Sequence, residues 1–180
     1  MRAKQPIWIH VLFAAWLVWM VDVATKTWAL ATLEGKAPRH IIGTFLQFTF
    51  TRNSGAAFSF APGGTIFLTT FALIVVGAIA YWARKITSGS WGIVLGLVLG
   101  GSLGNLTDRV FRTGTTHSFA RGEVIDWIQT PHWPIFNVAD SAIVIAALLA
   151  MILSIRNIVP ISRQVLDDPD GKESEDSHES

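Results

Sequence analysis

The stretch Val124-Ile-Asp-Trp-Ile-Gln-Thr-Pro-His-Trp-Pro-Ile-Phe-Asn-Val-Ala-Asp140 carries two carboxylates, Asp126 and Asp140, at either end of a segment rich in Trp and Pro. Asp140 stands at the mouth of a long apolar run, where an ionised side chain is costly unless something uses it. Two acids held together near a membrane surface make a catalytic dyad. Two acids held apart are a loop residue and a helix cap. Asn137-Val-Ala-Asp140 has the spacing of a capping box, with Asn137 as N-cap and Asp140 at N3, and an acid there also meets the favourable end of the helix dipole. The cap and the catalytic role are compatible, because a capped helix start fixes where the carboxylate points.

Outward from this stretch, the composition sets the class. The 180 residues suit a single domain. Hydrophobic residues make up 51% and charged residues 15%, against about 25% charged in soluble domains. With eight Trp and eleven Phe, this is the composition of a membrane protein. A net charge of +1 and the lack of interleaved basic and aromatic residues give no reason to invoke nucleic acid. There is no Cys, which excludes disulfides, thiolate nucleophiles and cysteine metal sites. No two of the five His are three or four apart, so a zinc-helix motif is absent.

Four apolar segments follow one another, expected over residues 8–32, 65–83, 88–108 and 136–156. The first is too long for the core of a signal peptide and lacks a convincing cleavage site, so it reads as a retained transmembrane helix. Inside it, Asp22, Thr25 and Lys26 share one face. Either Lys26 snorkels to the headgroups from a helix-end ion pair, or the group points into the bundle. The second and third segments are free of charge over lengths that fit a bilayer. In the third, Gly92, Gly96, Gly100 and Gly104 form a ridge that lets a neighbouring helix approach closely. It closes with Asn105, Asp108 and Arg109.

Between the first two spans the pattern changes to period two. Leu46, Phe48 and Phe50 alternate with Gln47, Thr49 and Thr51, then Arg52-Asn53-Ser54-Gly55 reads as a turn and Ala57-Phe58-Ser59-Phe60 alternates again. A small surface sheet over about residues 41–60 is expected, with Asn53 and Gly55 suited to a substrate's backbone. A loop with Arg112, Arg121 and Glu123 is expected after the third span. Residues 161–180, rich in acids, read as a disordered tail.

The basic residues divide seven to seven between the two sides of the membrane, so the positive-inside rule is nearly silent. Those on the terminal side lie in short segments, which favours cytoplasmic termini. The unusual polar residues, by contrast, all fall at the membrane edge opposite the termini. They are Asp22, Lys26, Asn53, Asn105, Asp108, Arg109, Asp126, Asn137 and Asp140. Helix caps alone would occur at both edges. Two carboxylates sharing a site hold one proton between them over a range of pH, and such a pair can activate water without a metal or a nucleophilic side chain. Three other readings compete. Gly100-Gly-Ser102-Leu-Gly104 matches the nucleophile elbow of serine hydrolases but sits in a transmembrane helix, with only His117 as a plausible base. A small proton-coupled carrier would relay protons through Asp22, Asp108 and Asp140. A scaffold would use every polar group as a cap or ion pair.

Five boxes in order resemble the lipoprotein signal peptidases (signal peptidase II), bacterial membrane aspartic proteases. They are Asp22-Val-Ala-Thr-Lys26, Asn53-Ser-Gly-Ala-Ala-Phe58, Gly100-Gly-Ser-Leu-Gly-Asn-Leu-Thr-Asp-Arg109, Val124-Ile-Asp-Trp127 and Phe136-Asn-Val-Ala-Asp140. Ser102 and Trp127 stand where Ala and Phe are expected more often. The resemblance implies a four-span, all-α membrane protein with a small extracytoplasmic sheet and a mobile helix over the cleft. It implies Asp126 and Asp140 as the catalytic dyad, with Asn53, Asn105, Arg109 and Asn137 lining the site and Asp22 and Asp108 supporting it. The implied substrate is a diacylglyceryl-modified prolipoprotein, cut N-terminal to its lipidated Cys, in the bacterial cytoplasmic membrane. Membrane lipid is the other expected partner; no cofactor or metal is expected, and a monomer suffices.

Overall fold

The computed structural model describes residues 6–55, 64–112 and 122–162. Four helices are long and apolar enough to cross a membrane: α1 (Ile7–Leu33), α2 (Gly64–Trp82), α3 (Gly89–Phe111) and α4 (Val138–Ile155). Three strands, β1 (Arg39–Ile42), β2 (Leu46–Asn53) and β3 (Val124–Gln129), form one antiparallel sheet in the order β1-β2-β3.

The glycine ridge makes α3 the centre of the bundle. Half of its apolar stretch is buried by the rest of the protein, against 11–17% for the other three helices. The ridge faces α1. A Cβ on Gly96 would lie 2.6 Å from Ala14 Cβ and one on Gly100 2.6 Å from the Ala15 carbonyl, so only glycine permits this spacing. Gly101 does the same towards α4, where its Cβ would meet the Ala139 carbonyl at 2.6 Å. The outer faces of α1, α2 and α4 present Phe13, Ile74 and Ile155, each more than 60% exposed. Such faces suit hydrocarbon as solvent.

An aromatic triangle seats the sheet on α1. Trp28 of α1, Phe48 of β2 and Trp127 of β3 meet edge-to-face with centroids 5.0–5.6 Å apart, an arrangement worth about 0.5–1.5 kcal/mol per pair beyond its area. Phe50 packs against the same cluster, as the alternation in β2 predicts. At the opposite end of the bundle, the backbone of Thr87 and the indole of Trp91 donate to the Pro160 and Ile158 carbonyls, and Ser162 N donates to Thr87 Oγ1.

The structure differs from expectation in three ways. The sheet starts at Arg39 and gains a third strand from far along the chain, so Asp126 is a strand residue rather than a loop one. Arg52 and Asn53 end β2 instead of forming a turn, because β3 offers them pairing partners in Ile125 and Val124. And α3 continues for one turn past residue 108. The expected alternation over residues 57–60, the loop over 113–121 and the tail beyond 162 lie outside the described residues.

Candidate active site

The sheet end of the bundle is organised by one buried cation. Lys26 has no exposed surface. Its Nζ lies 2.7 Å from Asp22 Oδ2, 3.0 Å from Asp108 Oδ2 and 2.9 Å from Asn105 Oδ1. The snorkelling reading is therefore overturned, and the one-turn spacing of Asp22 and Lys26 turns both into the bundle. Asp22 Oδ1 accepts from Ala139 N at 2.9 Å. Asp108 accepts from Ile125 N at 3.2 Å and pairs with Arg112 at 2.6 Å. One charge network thus fixes α1, α3, β3 and the start of α4 to each other. Gly104 is where the ridge enters it, since any Cβ there would overlap the Asp22 carboxylate.

Asp126 and Asp140 are held differently, by amides alone. Asp126 Oδ1 accepts from Asn137 Nδ2 at 2.6 Å and Oδ2 from Asn53 Nδ2 at 2.9 Å. Asp140 Oδ1 accepts from Asn105 Nδ2 at 2.8 Å and Oδ2 from Asn137 N at 3.2 Å. The orientation of each side-chain amide is set by a group that can only donate. Gly55 N donates to Asn53 Oδ1 at 2.8 Å, Asp140 N to Asn137 Oδ1 at 3.0 Å, and the Lys26 ammonium to Asn105 Oδ1. Three oxygens are thereby turned away and three NH2 groups turned towards the carboxylates. Gly55 is required by its φ of +91°.

The capping box expected at Asn137 and Asp140 is present in both directions. Asn137 also donates to Asp126, so a helix cap joins the two acids. Burial pushes Asp126 up to about 6. The amide of Asn53 opposes that rise, the nearby Asp140 charge adds to it, and Asn137 and Lys26 oppose it. Arg109 is buried, and its Nη1 has no hydrogen-bond partner. Beside Asp140 an apolar cavity of about 320 Å³ opens along α4, walled by Thr130, Trp133, Phe136, Val144 and Ile145.

Nine of the ten residues singled out in the sequence are bonded into this constellation: Asp22, Lys26, Asn53, Gly55, Asn105, Asp108, Asp126, Asn137 and Asp140. The tenth, Arg109, lies buried beside them within the field of Asp126, Asp108 and Asp140. Arg112 and the backbone N–H groups of Ile125 and Ala139 were not foreseen. The i, i+4 spacing of Asp108 and Arg112 was a legible signal for the first, whereas backbone donors leave none. Ser102 lies buried within α3, with no strand-turn-helix corner around it, and His117 is outside the described residues.

A family model described as signal peptidase (SPase) II, the A8 peptidases, matches residues 14–156. The lipoprotein signal peptidase of Streptomyces coelicolor is 44% identical over 160 residues, covering 88% of this chain and 77% of that protein. The lipoprotein signal peptidase of Mycobacterium tuberculosis is 44% identical over 144 residues, covering 80% and 70%. Two solved structures, each described as a bacterial membrane enzyme, share the fold. One has a TM-score of 0.66 at 28% identity over 93% of both chains. The other has a TM-score of 0.69 at 30% identity, covering 79% of this chain and 90% of that one. The chain belongs to the signal peptidase II family.

Proposed function

From that membership we propose that this membrane protease removes the signal peptide from diacylglyceryl-modified prolipoproteins, with Asp126 and Asp140 as its catalytic dyad. The observation that carries the proposal is the meeting of both carboxylates on Asn137, with only amides as their hydrogen-bond donors. Among the described residues no cation is hydrogen-bonded to either, so the pair is free to keep one proton. Asp126, raised to about 6 by burial, is its holder.

In the ground state a water lies between the two groups. Ionised Asp140 takes a proton from it as its oxygen attacks the scissile carbonyl, and neutral Asp126 gives its proton to the carbonyl oxygen. The resulting gem-diol collapses: the C–N bond breaks, nitrogen takes the proton from Asp140, and Asp126 recovers one from a hydroxyl. The products are a signal peptide with a free carboxyl end and a lipidated Cys with a free amine, so the cut falls N-terminal to that Cys. The spare Nη1 of Arg109 is a donor for substrate carbonyls, and the amides of Asn53 and Asn105 hold the carboxylates still. Membrane lipid surrounds the apolar cavity beside Asp140, which suits an acyl chain.

The same reading puts both termini in the cytoplasm and the site near the extracytoplasmic face of the bacterial membrane. Short segments bearing Arg84, Lys85 and Arg156 on the terminal side favour this orientation. Residues 1–160 are the protease domain and 161–180 an acidic appendage; one copy carries every residue invoked. A proton-coupled carrier needs its acids strung through the bilayer, whereas Asp22 and Asp108 share one ammonium at one end of the bundle. The test is cleavage of a purified prolipoprotein by Asp126→Asn and Asp140→Asn. Each is expected to lose about 10²–10⁴-fold in rate, the range of general acid–base catalysis. Retained activity in either variant sinks the dyad.

A further inference from the structure

A second cavity, of about 540 Å³, lies on the sheet beyond the dyad, and nothing so far has given it a task. Its walls include Thr44, Gln47, Gln129, His132 and Trp133. It shares Thr130 and Trp133 with the apolar cavity beside Asp140, so the two are neighbours across one wall. That wall turns at His132, between Pro131 and Trp133, which has a φ of +60°, in the left-handed region that His enters more readily than most residues. Trp133 stands 62% exposed at its edge.

Gln47 and Gln129 are directly opposed in the β2–β3 register, which puts both side chains on one face of the sheet. Both are half-buried. Among the described residues the Gln129 carboxamide makes no hydrogen bond, and Gln47 makes only a long one of 3.4 Å to the Thr44 carbonyl. Each carboxamide offers two N–H donors and a carbonyl acceptor. Together they match the alternating N–H and C=O groups of an extended chain, whatever its side chains. Among the described residues no Asp, Glu, Lys or Arg lines the cavity, so its lining neither demands nor repels charge strongly. The position is set by the shared wall: Gln129 is followed directly by Thr130, which lines both this cavity and the one beside Asp140.

We propose that this cavity is the subsite for the substrate's polypeptide on the C-terminal side of the cut, binding its first few residues in extended form through the paired carboxamides of Gln47 and Gln129. The inference rests on the protease reading. In that reading the acyl chains stay in the bilayer, and the mature chain must leave over the sheet.

The experiment compares two synthetic diacylglyceryl-Cys prolipoprotein peptides, one ending at the lipidated Cys as its amide and one extended by four uncharged residues. Each is cleaved by the wild type, by Gln47→Ala/Gln129→Ala and by the milder Gln129→Thr, and the readout is the ratio of kcat/KM between long and short substrates. Two hydrogen bonds gained from the extension raise that ratio about tenfold in the wild type, the equivalent of ~1.4 kcal/mol. In the double variant the ratio is expected to fall towards one through a rise in KM for the long peptide, and Gln129→Thr lands between. Because each enzyme is its own control, a loss of folded protein lowers both rates and leaves the ratio intact. An unchanged ratio in both variants, or a wild type indifferent to length, overturns the subsite. A wild type that cuts neither peptide overturns the protease reading instead.

Discussion

Four aspartates gather at the sheet end of the bundle, and they fall into two pairs that differ in their partners. Asp22 and Asp108 are fully buried and bonded to cations, to Lys26 jointly and to Arg112 in addition for Asp108. Asp126 and Asp140 meet only amides. A carboxylate clamped to an ammonium serves as a structural anchor between helices. A carboxylate held by neutral donors is oriented equally well but keeps the freedom to protonate. In the proposed mechanism it is the charge of the bonded partner, not residue type, that separates structural from chemical acids. Asn105 couples the pairs, since its oxygen takes Lys26 and its NH2 group takes Asp140.

Removing the cation should break this division most severely. Lys26→Met leaves Asp22 without a countercharge, and losing one partner of a buried ion pair costs about 3–5 kcal/mol. Thermal unfolding in detergent is the measurement. The sharper variant is Asp22→Asn/Lys26→Met, which removes the stranded charge and should recover much of that stability. Its activity should stay down by about 10²-fold, the scale set by misplacing a catalytic group, because Asn105 is no longer held with its NH2 group towards Asp140. Recovery of both properties together would show that Lys26 is only a structural counterion.

The second test separates the pairs by pH. Asp126 has an ordinary pKa of 3.8 when unfolded and about 6 when folded. The folded state then binds the proton more tightly, so the stability this group contributes is fully present below about pH 4. It is lost as pH rises through about 6. The gap amounts to ~3 kcal/mol at 1.36 kcal/mol per pH unit. Asp126→Asn does not titrate, so its stability relative to the wild type should climb by that amount between pH 4 and 7 and then level off. Chemical unfolding at several pH values reads it directly. A flat difference would mean that Asp126 is no more eager for a proton than an exposed acid.

How far these pairs were legible in the sequence follows from the kind of interaction involved. Spans, glycine ridge and capping box all rest on short-range periodicity, and each was readable to within a few residues. The gathering of polar residues at one membrane edge was readable too, because membrane depth is a one-dimensional coordinate that hydropathy reports. β3 was missed: its six residues include Asp126, and the Trp and Pro around them masked the alternation. Its pairing with β2 closes a loop of some seventy residues, which no local pattern encodes. Lys26 was left undecided for a related reason. Whether a lysine snorkels or turns inward depends on acids supplied from another helix, here Asp108.

The smallest expected effect tests whether the ridge serves the site or packing alone. Gly92 and Gly104 both belong to it, and alanine at either should gain about 1 kcal/mol of helix propensity. What opposes that gain differs. At Gly92 the new methyl meets Ile7 Cγ2 at 2.8 Å, on the first residue of α1, where the helix end can give and far along it from the acids. At Gly104 it meets the Asp22 carboxylate, which cannot swing aside without losing Lys26 and Ala139 N. Gly92→Ala should therefore stay within about 1 kcal/mol of the wild type and keep its activity. Gly104→Ala should lose about 1–3 kcal/mol, the usual cost of overpacking. It should also slow catalysis, because moving Asp22 shifts Lys26, and Lys26 orients Asn105. Thermal unfolding and cleavage rates on the two variants, side by side, make the comparison. If both lose stability and neither loses activity, the ridge is packing only, and the pair that binds Lys26 is insulated from the pair that does the chemistry.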